Sequence, residues 1–446
     1  MFPIIAELLQ RFNDRLDTRA IIIEENALEE GLDALTSYLP EGPWLVAGDD
    51  NTWKAAGQDL AARLNEAGLS WSRYTVEVPS DGSDPICEDG RIAAFQQALV
   101  QTNSTAAIAV GSGTVNDIVK LASHNEGIPM ASVGTAPSMN GYTSGIAAVL
   151  SDGVKTTVPC TAPLVVIADI DVMAEAPYRM ICSGLGDLMS KPVSNADWQL
   201  SAWLNGTFHS DEAMEIIEAG AAMLDGVAPA LPDRDRQAVA GLTASLMLSG
   251  LAMSVAGSSS PASGGEHLIS HFIDMTAIAF DEPHDFHGCQ VGVGTITSGL
   301  LYEKLQALDP ASIDIDARVD ALLPWNEYEE LLRERFGPLF ESVVKHAKPA
   351  YPSPEDLRRR LTLLCDEWDY LKTNVRRTLR TGQSLEDELR AANCPVRFSE
   401  LGVEPDRARR AIVHSKDIRN RYTILHLAWE LGLLDEWAEE ALETLA

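Results

Sequence analysis

Up to about residue 160, short runs of consecutive apolar residues alternate with stretches whose apolar positions recur every three or four residues. PWLVAG (43–48), SRYTVEV (72–78), AAIAV (106–110) and PMASV (129–133) predict buried strands, and 52–66, 91–100 and 114–124 predict the helices between them. Strands that are apolar throughout, separated by helices, are the pattern of a doubly wound parallel sheet covered on both faces. Residues 143–170 alternate less clearly and predict a β-ribbon around VKTTV and a last strand in PLVVIADI. From about residue 173 the pattern is helical, with loops rich in Pro, Gly and Ser near 226–234, 257–265 and 347–354. A chain of 446 residues is long for one core. The expectation is therefore an α/β domain over 1–170 and an all-α domain over 171–446 that includes a C-terminal extension.

Composition narrows the function classes. Apolar residues at 46% and charged residues at 22% describe an ordinary globular protein. A formal charge of −32 argues against nucleic acid, since no basic stripe interrupts the acidic surface, and any anionic ligand needs a local basic pocket. The longest apolar stretch, TASLMLSGLAMSVAG, is broken by Ser and Gly and reads as too short for a bilayer, and MFPIIAELLQRFNDRL reads as an amphipathic helix without a signal-peptide core. Six cysteines without a CxxC pair indicate neither a disulfide framework nor a thiolate zinc site. These features predict a cytoplasmic protein without membrane insertion.

Candidate chemistry concentrates in a few segments. Four of nine histidines, His267, His271, His284 and His287, fall in one short stretch, and clustered imidazoles suit a divalent cation of the zinc or ferrous type. A third ligand is offered upstream in ICSGLGDLMSK by Asp187, with Lys191 one helical turn later. VGSGTVNDIVK follows a predicted strand and opens a helix, so Gly111 and Gly113 can let backbone amides approach a pyrophosphate. An ordinary tight turn uses the same residues. GTAPSMNGYTS follows the next strand and could flank the same ligand, while Asp49 or Asp50 in AGDDNT offers either a ribose contact or a helix N-cap.

GSGTVNDIVK, TAPSMNGYTS, GVKTTV, GLGDLMSK, the DW pair at 197–198, SGGEHLISH, FHGCQVGVGT and, near the C-terminus, HSKDIRNRYTILHLAWELGLL stand in order along the chain. Together they resemble the glycerol-1-phosphate dehydrogenases, a branch of the iron-containing alcohol dehydrogenase, glycerol dehydrogenase and dehydroquinate synthase-like superfamily. The resemblance covers most of the chain. It implies a dehydroquinate synthase-like fold with an N-terminal dinucleotide-binding domain, a helical metal- and substrate-binding domain, and an active site in the cleft between them. Asp187, His267 and His287 are implied as ligands of one divalent metal (zinc, nickel or iron), and NAD or NADP is implied as cofactor. Asp49, Gly111, Ser112, Gly113, Thr114, Asp117, Thr135, Ser138 and Ser144 are implied as cofactor contacts.

Departures from the family pattern carry information. Iron-type alcohol dehydrogenases place a further His one turn after the Asp; here that position is Lys191, whose ammonium cannot ligate a metal, so three protein ligands and one open position are expected. Relatives carry Asp in an SMDG segment where this chain has Asn140. The implied reaction is hydride transfer between nicotinamide and a secondary alcohol or ketone, with His271, Lys191 and Asn140 facing the substrate. Dihydroxyacetone phosphate and sn-glycerol 1-phosphate are the favoured pair, because Lys191 offers a charge to a phosphate. Lys155 or Arg421 would take that role should Lys191 serve only helix electrostatics with Asp197 or Asp187. Another polyol, a phosphonate alcohol, or a dehydroquinate synthase-like cyclisation are the alternatives, and a homodimer or higher homo-oligomer stays open.

Overall fold

The structure is a computed structural model, which describes residues 2–79, 85–151 and 154–445. Eight strands follow in chain order: β1 (Ala20–Glu24), β2 (Trp44–Gly48), β3 (Trp71–Thr75), β4 (Ala106–Gly111), β5 (Met130–Gly134), β6 (Ile146–Ser151), β7 (Val154–Pro159) and β8 (Val165–Asp169). Six of them form one parallel sheet in the order β1-β8-β5-β4-β2-β3, and β6 with β7 makes the expected ribbon. Within that ribbon, residues 152 and 153 lie outside the described residues. The four strands expected from apolar runs are present, β3 ending three residues early at Thr75. Two further elements, β1 and the helix Leu28–Tyr38, complete the sheet and its cover.

Alternate residues of each central strand serve opposite faces. Val46, Ile108, Val133 and Ile167 pack with Leu28, Leu35, Leu60 and Leu64 on one side. Leu45, Ala47, Ala107 and Ala109 pack with Phe95, Leu99 and Ile118 on the other. This double cover is why β2, β4, β5 and β8 are buried from end to end, while the edge strand β3 keeps partly exposed positions. Each fully buried Leu or Ile contributes ~1.5–3 kcal/mol by leaving water.

Contacts group the chain into two compact units, one formed by Met1–Ser151, Lys155–Leu188 and Asp211–Ser259, the other chiefly by Met189–Ser210 and Ser260–Ala446. Helices C-terminal to residue 170 therefore belong in part to the sheet-bearing unit. One of them, Arg236–Ala256, corrects an expectation: at 21 residues, with an 18-residue window of mean hydropathy 1.7, it is long and apolar enough to cross a bilayer, because the helix starts seven residues before the TASLMLSG run. Of its most apolar window 94% is buried within the protein, as a core helix requires.

Candidate active site

The turn after β4 leaves its helix start open. Ser112 is the N-cap of the helix Gly113–Glu126 without capping through its side chain, and no acidic residue stands in the first turn. Among the described residues, the amides of Gly113, Thr114 and Val115 have no acceptor, so the positive end of the helix is unsatisfied. A Cβ built on Gly113 would meet nothing closer than Met139 Cγ at 3.7 Å, whereas one on Gly111 would press on Val115 at 2.7 Å. Gly111 is thus a packing glycine, and Gly113 borders open space. Gly111 and Gly134 pair in register, and Thr135 N–H donates to Gly111 O at 3.1 Å, so the turns after β4 and β5 lie side by side. The turn after β2 flanks them, where the sheet's connections diverge and open α/β sheets take their ligands.

Of the residues expected to touch a cofactor, several have partners within the chain. Asp49 is an N-cap, accepting from Asn51 N and Thr52 N at 2.8 Å each. Asp117 accepts from Lys120 Nζ at 3.1 Å and Asn116 Nδ2 at 3.2 Å on one oxygen and from Ala148 N at 2.9 Å on the other. Its carboxylate is committed to anchoring the chain. Ser112 Oγ and Ser138 Oγ bond each other, and Ser144 Oγ turns back to Gly141 O at 3.0 Å. Thr114 is half-buried at the open helix start, and Thr135 is buried beside it.

The segment 135–144 is clamped from several sides. The helix Tyr178–Met189 approaches at Gly184, where any Cβ would overlap the Pro137 carbonyl oxygen, and the helix Arg236–Ala256 approaches at Gly250, where it would meet Thr143 Oγ1 and Asn140 O. Lys120, fully buried, donates to Gly141 O at 2.8 Å. Tyr142, also buried, donates to Ala136 O at 2.8 Å, and burial pushes its phenol up to about 12. Held this way, Asn140 donates from its backbone to Asp187 Oδ2 at 3.1 Å and from Nδ2 to Asp187 Oδ1 at 2.9 Å. The two bonds orient the Asp187 carboxylate, which an Asp at 140 would repel.

In the second unit, His267 and His271 stand four residues apart on the helix Gly265–Phe280 and share a face, and His287 opens the helix His287–Ala307. Ring centroids of His267 and His287 are 5.1 Å apart; His271 is 6.3 and 5.4 Å from them. His284 lies exposed in the intervening loop. Lys191, buried, donates to Ser190 Oγ at 3.0 Å and Ala262 O at 3.3 Å, and Arg421 donates to Ser263 O at 2.5 Å. The two cations rest on adjacent carbonyls. Burial pushes the Arg421 guanidinium down to about 10. Asp197 accepts from Tyr302 Oη at 2.6 Å and from the amides of Gly265 and Ile424 at 2.7 Å each, so it does not serve as Lys191's helix partner. Burial, with the charge of Glu266, pushes Asp197 up to about 7.

Residues 22–177 match the family model of iron-containing alcohol dehydrogenase. Glycerol-1-phosphate dehydrogenase [NAD(P)+] of Bacillus subtilis strain 168 is 30% identical over 414 residues, 92% of each chain. That of Pyrococcus furiosus is 33% identical over 285 residues, 64% of this chain and 78% of the relative. The chain belongs to the glycerol-1-phosphate dehydrogenase family. Among solved structures, glycerol dehydrogenase from Schizosaccharomyces pombe superposes with a TM-score of 0.60 at 16% identity, covering 96% of this chain and 91% of its own. A probable glycerol dehydrogenase from Sinorhizobium meliloti 1021 does so with a TM-score of 0.61 at 16% identity, over 95% and 98%. At that identity the likeness concerns the fold, a dehydroquinate synthase-like one.

Family membership implies a nicotinamide dinucleotide and a divalent metal, and the residues fit both. Unclaimed amides at a helix start are donors for a pyrophosphate. Two imidazoles on one tetrahedral cation, each bound at about 2.0–2.1 Å, hold their ring centroids roughly 5 Å apart, in line with the 5.1 Å between His267 and His287. Among the described residues no three His, Cys, Asp or Glu groups are already gathered as a cation site. The rings of His267, His271 and His287 lie near one another in one unit, and Asn140 bonds Asp187 in the other.

Residues absent from the sequence reading complete the picture. Glu266, Ser270, Asp274 and Gln290 surround the two histidines, and only the adjacency of Glu266 to His267 signalled any of them.

Proposed function

We propose that this chain is a metal-dependent, NAD(P)-linked dehydrogenase interconverting dihydroxyacetone phosphate and sn-glycerol 1-phosphate. The observation that carries this reading is the His267–His287 pair at metal-ligand separation. It stands in a chain whose relatives, named glycerol-1-phosphate dehydrogenases, match it over nearly their whole length. Asp187, His267 and His287 would hold the metal, and the amides at Gly113–Val115 the pyrophosphate, with Ser138 and Thr135 bordering it. When bound, the cation supplies Lewis acidity toward the substrate oxygen and the dinucleotide gives or accepts hydride. Asn140 orients the Asp187 carboxylate, and His271, on the same helix face as His267, faces the substrate.

Lys191 would hold the substrate phosphate, with Arg421 resting on the neighbouring carbonyl. A cytoplasmic location, the absence of nucleic-acid and membrane partners, and a homodimer or higher homo-oligomer belong to the same proposal. A panel of ketones and alcohols with and without phosphate, assayed with NAD and NADP on metal-reconstituted protein, tests it. Lys191→Met should weaken the phosphorylated substrate by about 1.5–3 kcal/mol, as for a hydrogen bond to a charged group, and leave a neutral analogue nearly unchanged. Equal turnover of neutral and phosphorylated substrates would refute the phosphate assignment.

A further inference from the structure

Each of the two histidines has a hydrogen-bond network behind it that decides which ring nitrogen carries the proton. Glu266 is fully buried, and its Oε1 accepts from Gly264 N at 2.6 Å and lies 2.8 Å from His267 Nδ1. A carboxylate there only accepts, so His267 Nδ1 is the donor and the lone pair falls on Nε2. The backbone at Glu266 is held from two sides. The helix His287–Ala307 presses on it at Gly294, where a Cβ would lie 2.7 Å from Glu266 O, and Asp197 holds the Gly265 amide on the other side.

For His287 the order of donors starts at a second carboxylate. Asp274 Oδ1 accepts from Gln290 Nε2 at 2.7 Å, which fixes the amide's orientation, and the same nitrogen donates to Ser270 Oγ at 3.1 Å. Ser270 Oγ lies 3.0 Å from His287 Nδ1 and 3.4 Å from His287 O; a proton given to the carbonyl leaves a lone pair for the ring N–H, the arrangement favoured by the Asp274 carboxylate, whose Oδ2 lies 4.0 Å from Nδ1. The lone pair of His287 also falls on Nε2.

We infer that Glu266 and the Asp274–Gln290–Ser270 chain are positioning elements that preset both imidazoles as Nδ1–H tautomers, aiming their Nε2 lone pairs at one divalent cation. The inference rests on the ligand assignment proposed above. A carboxylate behind a ligating imidazole fixes the ring and raises its basicity, and loss of such a partner costs 10–100-fold in metal affinity. Glu266→Gln keeps an acceptor for Gly264 N and for the ring but removes the charge; Glu266→Met removes the acceptor as well. Ser270→Ala cuts the second network.

The test is zinc affinity of the metal-free, full-length protein, measured by competition with a chromophoric chelator. Circular dichroism and the metal-free melting temperature serve as the check on folding. Zinc binding should weaken about 10-fold in Glu266→Gln, about 100-fold in Glu266→Met and about 10-fold in Ser270→Ala. A helix-capping or packing role alone would lower the melting temperature and leave the zinc affinity of the folded variants at the wild-type value, which overturns the inference. His267→Ala run in parallel separates the two levels. Zinc retained there sinks the ligand assignment and with it the inference; zinc lost there, with wild-type affinity in folded Glu266→Gln and Ser270→Ala, sinks the inference alone.

Discussion

Two glycine-bearing turns open long helices in this protein, one after β4 at Gly111–Gly113 and one at Gly264–Gly265, and they differ in who satisfies the helix start. At the second, the chain supplies the anions itself: Glu266 takes the Gly264 amide and Asp197 the Gly265 amide. At the first, no acidic residue stands in the opening turn and three amides have no acceptor among the described residues. The same physics, a positive helix end seeking negative charge, is answered within the chain in one case and left without a counter-charge in the other. A glycine cluster before a helix is therefore read by asking where its counter-charge resides.

Breaking the self-satisfied start at its functional end should have the largest effect. His267→Ala, His287→Ala or Asp187→Asn each removes a proposed ligand, and turnover should fall by ~10³-fold or more, equivalent to about 4 kcal/mol, with stoichiometric metal lost. Metal analysis alongside the rate assay checks this, and a variant that keeps both removes that residue from the ligand set.

The open turn is tested next. A side chain at Gly113 has room in the protein, its nearest neighbour being Met139 Cγ at 3.7 Å, so Gly113→Val should fold normally. It should nevertheless weaken NADH by about 10–150-fold, since losing one or two hydrogen bonds to a charged pyrophosphate costs ~1.5 kcal/mol each. Fluorescence titration with NADH reads the change, and unchanged affinity would make this turn structural, like the other.

Gly264→Ala is the converse. Its Cβ would stand 2.5 Å from Asp197 Oδ2 and 2.8 Å from Glu266 Oε2, so stability should drop by ~1–3 kcal/mol, as for overpacking. Dinucleotide affinity of the folded protein should hold. Urea titration distinguishes this from a tolerated substitution.

The smallest effect concerns a third helix start of the self-satisfied kind, Ile424–Leu431, where Asp197 takes the Ile424 amide and His426 Nδ1 the Thr423 amide at 3.2 Å. Burial, helped by the charges of Lys416 and Arg360, pushes His426 down to about 3 from its ordinary value of 6.5. The unfolded chain thus takes up a proton below pH 6.5 that the folded chain refuses until about pH 3, so this group's share of stability is present above 6.5 and lost as pH falls through that window. His426→Gln keeps a capping acceptor without the titration. It should match wild type at pH 7 and exceed it by about 1 kcal/mol one pH unit below the histidine's ordinary value. Identical acid profiles would mean His426 is protonated in place.

Legibility along the sequence followed the range of the interaction. Buried parallel strands announce themselves as short apolar runs, and AAIAV followed by GSGT showed both β4 and its turn. The run AIIIE at 20–24 carried the same signal for β1 but, standing between an amphipathic helix and polar residues, was not read as a strand. Clustered histidines were visible because a helix repeats its face every four residues. Gln290 and Ser270 were not, since they meet His287 only through the packing of two helices. Asn140 stands out in the sequence as a departure from the family pattern, and its partner is Asp187, 47 positions away, which no spacing rule reveals. Asp117 reads as a ligand contact from its place near a glycine turn, yet its oxygens are taken by Lys120, Asn116 and Ala148.

The helix Arg236–Ala256 has a consequence for how the protein is made. It supplies Gly250 to clamp Asn140 and Met247 O to accept from Thr143 Oγ1, across 104 residues, yet it belongs to a unit interrupted by residues 189–210. The sheet emerges from a ribosome well before its last buttress exists. Contacts at such separations form slowly, and the uncovered surface is prone to aggregation meanwhile. The nascent chain must therefore carry the segment 135–144 without its clamp, and then an apolar helix of 21 residues, until docking buries both.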